Sequence, residues 1–253
     1  MANHRTVNGV RTWYDELGTG EPVVLLHGGF SDSRDFHGNL TALSADFRLL
    51  LPERRGHGHT ADQPGPITVE LMAQDTIAFL EDTLDGPTRL VGYSAGGIVA
   101  LWVALRRPDL VDRLVLISAA FDAGGMIFRP SADGEPPAPL VAAYAEVSPD
   151  GAEHFPVVMR KIVDAVETEP GLDPAQLAEV SPRTLVLAGD DDLVTLEHTI
   201  ALYRGLPAAE LAIVPAATHL LLREKPAPCT SLVRDFLTTD QAPTMMPIRR
   251  AAH

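Results

Sequence analysis

The chain has 253 residues, with 20 Lys plus Arg against 34 Asp plus Glu, giving a formal net charge of −14. Nucleic acid and anionic membrane surfaces, which are bound by clustered cations, are excluded as expected partners, because the longest basic runs are pairs such as Arg54-Arg55, Arg106-Arg107 and Arg249-Arg250. With 45% apolar and 21% charged residues, the composition is that of a soluble globular protein with one large core or one core plus an insertion.

The opening MANHRTVNGV has no basic start followed by an apolar stretch. No window reaches the length of a membrane span, so a cytoplasmic location is expected. Cys229 stands alone and cannot form an internal disulfide; it is expected in the core. No fixed-period repeat is visible, which argues against solenoids and propellers.

In chain order, Arg5 to Val7 and Val10 to Glu16 flank Asn8-Gly9, a pair suited to a tight hairpin turn. Apolar runs at Val23 to Leu26, Leu49 to Leu51, Leu90 to Gly92 and Leu114 to Ile117 are too short for helices and read as strands. Between them, Thr68 to Leu84 carries apolar residues at three- and four-residue spacing behind a Thr68 N-cap. Ala95 to Arg106 is apolar nearly all round and should be the most buried helix, ending before Pro108. Further strands are expected at Thr184 to Ala188 and Leu211 to Val214, and further helices near Leu196 to Gly205 and Ala227 to Leu237.

Eight strands alternating with helices imply an α/β fold: a mostly parallel sheet covered on both faces. The rhythm breaks from about Phe121 to Pro182, a Pro-rich stretch with helical patches at Leu140 to Val147 and Phe155 to Val166. Its aromatic and Met residues favour a folded lid over a disordered insert. The expected organisation is thus a core of residues 1–120 and 183–240, a lid or cap over 121–182 and a flexible tail over 241–253.

The sharpest signal is Gly92-Tyr93-Ser94-Ala95-Gly96, a G-x-S-x-G motif after a strand and opening a helix. Such a turn lifts the serine hydroxyl above the strand ends, over free N–H groups of the helix N-terminus. A dinucleotide loop would need glycine at position 94 and an acid about twenty residues on, where Leu114 stands. A serine needs a base. Of nine histidines, only His219 follows the last strand and precedes the last helix. The imidazole in turn needs an anion, and Gly189-Asp190-Asp191-Asp192 delivers three carboxylates to a strand end. Asp192 is the chosen partner, with Asp191 as the alternative and Asp190 bracing the loop. An oxyanion would be held by the Ala95 N–H and by a donor from His27-Gly28-Gly29-Phe30, with Gly29 preferred over Phe30 and His27 bracing the turn.

Taken together, these motifs resemble the α/β-hydrolase superfamily over residues 4 to 238. They are His27-Gly28-Gly29-Phe30, Pro52-Glu53-Arg54-Arg55-Gly56-His57-Gly58-His59-Thr60, the Gly92 to Gly96 elbow, and Gly189 to Asp192 followed by Ala217-Thr218-His219. Glu53 stands where the family usually has Asp, and Thr218 where it usually has Gly. The resemblance implies an acyl-enzyme mechanism on Ser94, His219 and Asp192 without cofactor or metal; His57-x-His59 lacks a third ligand. The serine nucleophile disfavours dehalogenase and epoxide hydrolase activities, and Phe30-Ser31 departs from the H-G-G-P-G of proline iminopeptidases.

What remains is hydrolysis of a small to medium carboxylic ester, lactone or thioester, with cofactor-free haloperoxidases as close relatives and a C–C bond hydrolase of the same fold or a non-catalytic ligand receptor as the alternatives. The expected partner is a small-molecule substrate, bound by Phe30 and Tyr93 at the rim and by Phe121, Phe128 and Tyr144 from the insertion.

Overall fold

A computed structural model describes residues 3–131, 133–240 and 245–246. All but two residues of the expected tail over 241–253 lie outside them. The hairpin is β1 (Asn3–Val7) and β2 (Val10–Leu17), joined at Asn8 and Gly9, whose φ angles of 48° and 77° are both positive, as this tight turn requires. After β3 (Pro22–Leu26), two short 3₁₀ turns that the hydrophobic pattern does not announce, Ser33–Phe36 and Leu40–Ala45, lead to β4 (Arg48–Pro52). Helix α1 (Val69–Thr83) starts where Thr68 accepts the Leu71 N–H. Then come β5 (Thr88–Tyr93), α2 (Ala95–Arg106) and β6 (Val111–Ile117). The long connection holds α3 (Ala138–Ala145), α4 (Phe155–Thr168) and α5 (Pro174–Leu177). The chain closes with β7 (Arg183–Asp191), α6 (Leu196–Gly205), β8 (Ala209–Thr218), α7 (Leu221–Glu224) and α8 (Pro226–Thr238).

The eight strands form one sheet in the order β1-β2-β4-β3-β5-β6-β7-β8, antiparallel at β1/β2 and β2/β4 and parallel elsewhere. Central strands are continuous apolar runs because both faces are covered, and their period of two sends alternate residues to opposite cores. Val24, Leu26, Leu90, Leu114 and Leu116 enter the core under α1 and α2, while Val23, Leu25, Val91, Val115 and Ile117 enter the core that includes Cys229, Val233 and Phe236 of α8. Cys229 is fully buried. No helix among the described residues is long and apolar enough to cross a membrane.

Strands β3 and β5 are neighbours, and the crossover leaving β3 runs to β4 on one side while that leaving β5 runs to β6 on the other. Such a switch point opens a crevice beyond the carboxyl ends of the strands, bounded here by the turn after β3 and the turn after β5.

Beneath that crevice lies a buried polar layer. Arg55 forms a two-pronged ion pair with Asp75, Nε to Oδ2 at 2.6 Å and Nη2 to Oδ1 at 2.8 Å. Glu53 accepts from Ser33 Oγ (2.8 Å) and from the His59 N–H (2.5 Å), and Gly58 leaves room for its longer side chain, since a Cβ there would lie 2.2 Å from the carboxylate. His59 stacks on Trp13, whereas His57 bonds the Arg55 carbonyl and leaves its buried Nε2 without a partner among the described residues.

Burial, then the charge of Arg54, pulls the His57 pKa from 6.5 to about 3, so the ring is neutral. Between those values the unfolded chain carries the proton and the folded chain does not. Unfolding therefore takes up a proton, and His57 makes stability rise with pH by up to about 1.4 kcal/mol per unit. His57→Gln removes that contribution, so the urea midpoints of wild type and variant should converge as pH falls from 6.5; parallel midpoints would show that His57 does not stay neutral in the fold.

Candidate active site

Ser94 joins β5 to α2 with φ 52° and ψ −121°, a conformation outside the regions comfortable for an L-residue. Its neighbours allow it. A Cβ on Gly92 would lie 2.3 Å from the Gly96 carbonyl oxygen, and one on Gly96 would lie 2.1 Å from the Leu26 carbonyl oxygen. Only glycine at both places lets α2 sit this close to the sheet. The Ser94 N–H donates to the Ile117 carbonyl at 2.8 Å, which ties the elbow to β6.

The hydroxyl lies 2.9 Å from His219 Nε2, and His219 Nδ1 lies 2.7 Å from Asp192 Oδ1. An ionised carboxylate only accepts, so Nδ1 carries the hydrogen and Nε2 is left to accept from Ser94. Burial works against the Asp192 charge, but hydrogen bonds from His219 and Ser118 outweigh it and hold its pKa below the usual carboxylate value. Asp192 Oδ2 accepts from Ser118 Oγ at 2.5 Å and from the Gly189 N–H at 3.3 Å, and Oδ1 accepts from the Val194 N–H at 3.1 Å. Of its neighbours, Asp190 braces the loop by accepting the Ala217 N–H at 3.1 Å, and Asp191 is exposed. Thr218, in place of the family's glycine, binds Glu224 through both its N–H (2.7 Å) and its hydroxyl (2.9 Å), fastening the His219 loop to α7.

Gly29 stands beside the elbow, where an added Cβ would meet the Ala95 Cβ at 3.5 Å. The Gly28 N–H is occupied by Asp35 Oδ2 at 2.9 Å, whereas the N–H groups of Gly29, Phe30 and Ala95 have no acceptor among the described residues. His27 accepts the Arg54 N–H on Nε2 (3.2 Å), so its Nδ1 hydrogen goes to the Gly28 carbonyl (2.8 Å). Burial, then the Arg54 charge, holds the His27 pKa well below its ordinary value, and the ring braces the turn in its neutral form.

Ser94 and His219 open into a cavity of about 510 Å³, shared with Phe30, Tyr93, Leu140 of α3 and Arg223 of α7. A smaller apolar cavity of about 90 Å³ lies beside Ala95 and is lined by Ile98, Phe121, Met126, Ile162 and Val166.

The expected rim residues divide accordingly. Phe30 lines the larger cavity, and so does Tyr93, whose hydroxyl donates to the His219 carbonyl at 2.8 Å and so also steadies the histidine loop. Phe121 lines the smaller cavity and stacks on His198 with ring centroids 3.9 Å apart. Two expectations need correction. Phe128 is 67% exposed and lines neither cavity, because its segment is anchored at Met126 and Ile127 through Val194 and Leu193 and turns outward beyond them. Tyr144 is buried against Phe155 (5.2 Å between ring centroids) and holds α3 to α4 instead of facing a cavity.

Ser118 went unnoticed in the sequence. Its signal was a polar residue directly after the buried run of β6, at the same sheet edge as Ser94. Its φ is also positive, 49°.

The fold has counterparts among known proteins. Residues 23–231 match the Alpha/beta hydrolase family. The chain belongs to that family. It is 29% identical to a putative carbamate hydrolase, RutD, of Agrobacterium fabrum, over 87% of this chain and 95% of the relative. The structure is similar to that of a hydrolase from Pseudomonas aeruginosa (TM-score 0.78, 25% identity, 94% of this chain and 98% of the other). It is also similar to a thermophilic esterase from Thermogutta terrifontis (TM-score 0.72, 25% identity, 94% and 98%).

Ser118→Ala removes one hydrogen bond to a charged group, an interaction of about 1.5–3 kcal/mol, so kcat for an activated ester should fall by roughly one to two orders of magnitude with KM little changed. An unchanged kcat would mean that the Gly189 and Val194 N–H groups suffice to hold Asp192.

Proposed function

We propose that this α/β hydrolase is a serine esterase that cleaves a carboxylic ester, lactone or thioester of a small to medium hydrophobic substrate through an acyl-enzyme. One observation carries the reading: the unbroken hydrogen-bond chain from Asp192 through His219 to Ser94, with the hydroxyl at the floor of a 510 Å³ cavity.

In this mechanism Ser94 Oγ attacks the substrate carbonyl carbon while its proton passes to His219 Nε2. Asp192, already ionised, stabilises the imidazolium. The carbonyl oxygen becomes an oxyanion held by the N–H groups of Ala95 and Gly29. Collapse of the tetrahedral species expels the alcohol or thiol, which takes the proton from His219. A water molecule, deprotonated by the same nitrogen, then attacks the acyl-enzyme. The acid leaves, and Ser94 recovers its hydrogen.

Residues 121–182 act as the lid in this reading, since Pro139, Leu140 and Ala143 of that segment share the cavity with Ser94. The adjoining apolar cavity next to Ala95 suits one hydrophobic group of the substrate, and its 90 Å³ favours a short chain or a small ring. The likeness to a putative carbamate hydrolase makes an aryl carbamate a natural member of any substrate panel.

The test combines labelling with turnover. A fluorophosphonate should modify wild type at Ser94 and leave Ser94→Ala unmodified. Wild type should hydrolyse short p-nitrophenyl esters faster than long ones, Ser94→Ala should fall to background, and Asp192→Asn should lose about 10⁴-fold in kcat with the fold intact. Labelling without turnover of any ester, thioester, lactone or carbamate would replace the enzyme by a ligand receptor.

A further inference from the structure

Arg54 is buried, 5% exposed, beneath the turn that follows β3, and no carboxylate lies within ion-pair distance of its guanidinium among the described residues. Its neighbour in sequence shows the usual solution, for Arg55 is paired with Asp75. Burying a cation without a counter-ion is expensive, so the position calls for a reason. Among the described residues the guanidinium is met by neutral groups: Nη1 donates to the His27 carbonyl at 2.5 Å, Nη2 donates to the Gly28 carbonyl at 2.8 Å and lies 3.1 Å from His27 Nδ1, and Nε has no partner. Burial pulls its pKa down to about 9, with Asp35 the one anion that opposes the fall, and this leaves it charged at neutral pH.

The peptide joining Gly28 to Gly29 is planar and trans, so its C=O and N–H point in opposite directions. The carbonyl faces Arg54 and the Nδ1 hydrogen of His27. The Gly29 N–H therefore faces away from them and has no acceptor among the described residues, in a residue that lines the cavity with Ser94. A cation on the carbonyl side also polarises the amide and makes its N–H a better donor.

We propose that Arg54 is a positioning residue of the oxyanion hole: it fixes and polarises the Gly28–Gly29 peptide, and the oxyanion that forms beyond that peptide supplies the counter-charge the buried guanidinium lacks at rest. The inference rests on the acyl-transfer reading of Ser94. Its physical content is that the interaction strengthens as negative charge develops, so it acts on kcat and not on ground-state binding.

The experiment compares wild type, Arg54→Gln and Arg54→Lys, with thermal unfolding to establish that each is folded. A p-nitrophenyl ester gives kcat and KM, and phenylboronic acid, which adds to the serine as a tetrahedral anion, gives affinity for a stand-in for the transition state. Arg54→Gln should lower kcat and boronate affinity together, by about 10²-fold, the scale of losing one oxyanion donor, with KM changed less than about threefold. Should Arg54→Gln not fold, Arg54→Lys decides. A buried lysine keeps the charge at low pH and loses it as pH rises, so in this variant the decline in kcat and boronate affinity should begin at lower pH than in wild type, whose Arg54 pKa is about 9.

A folded variant with kcat and boronate affinity near wild type, a loss confined to KM, or a lysine variant with the wild-type pH profile overturns the role of Arg54. Wild type that neither turns over an ester nor takes the fluorophosphonate label overturns the acyl-transfer reading, and this role with it.

Discussion

Helix α2 approaches the sheet so closely that a single methyl group at Gly96 would drive into the Leu26 carbonyl, and one at Gly92 into the Gly96 carbonyl. The chain then has one residue in which to turn from strand to helix, and that residue is Ser94. Its strained backbone costs about 1–3 kcal/mol. Burial along the same helix outweighs it: Val99, Leu101 and Val103 are fully buried, and each such side chain contributes about 1.5–3 kcal/mol. The serine cannot relax into a comfortable conformation without pulling that helix from its core, which is why the hydroxyl stands where His219 can reach it.

The same tension recurs along the sheet edge. Among the described residues, five non-glycine residues have positive φ; one, Asn8, sits in the hairpin turn, and the others are Phe30, Ser94, Ser118 and Ala216. These four lie at or just beyond the carboxyl ends of β3, β5, β6 and β8, in the segments that carry the glycine turn, the Ser94 elbow, the Ser118 bond to Asp192 and the His219 loop. Strain of this kind persists only where surrounding structure over-determines the backbone, and here it is concentrated where side chains must converge from separate strands.

Much of this was legible in the sequence because it depends on local rules. Strands buried on both faces are continuous apolar runs, and the edge hairpin is announced by Asn8-Gly9; a helix packed that tightly on its strand needs glycine at 92 and 96; Thr68 announces its own helix. What the pattern hid depends on three-dimensional partners. The 3₁₀ turns at Ser33–Phe36 and Leu40–Ala45 follow from side-chain caps on Asp32 and Asn39, not from periodicity. Phe128 and Tyr144 share a composition, yet one faces solvent and the other the packing between α3 and α4. Arg54 and Arg55 are adjacent and chemically identical, and nothing in their order says that one is neutralised by Asp75 and the other lies against backbone carbonyls.

That last contrast bears on how a chain of net charge −14 handles anionic chemistry in its interior. When a serine hydroxyl attacks, a neutral arrangement becomes a pair of charges, positive on the imidazole and negative on the substrate oxygen. In water, solvent must reorganise to meet them. In this fold one response is already in place, because Asp192 is ionised and hydrogen-bonded behind the imidazole. The other follows if Arg54 works through the Gly28–Gly29 peptide, for then a fixed anion stands behind the cation that forms and a fixed cation behind the anion. Arg55 could not serve, since the field of a guanidinium already paired with Asp75 is largely cancelled at a distance. Neutrality of His27 and His57 fits the same design: a second positive charge beside Arg54 would be repelled by it and would expel one cation or the other from the buried layer.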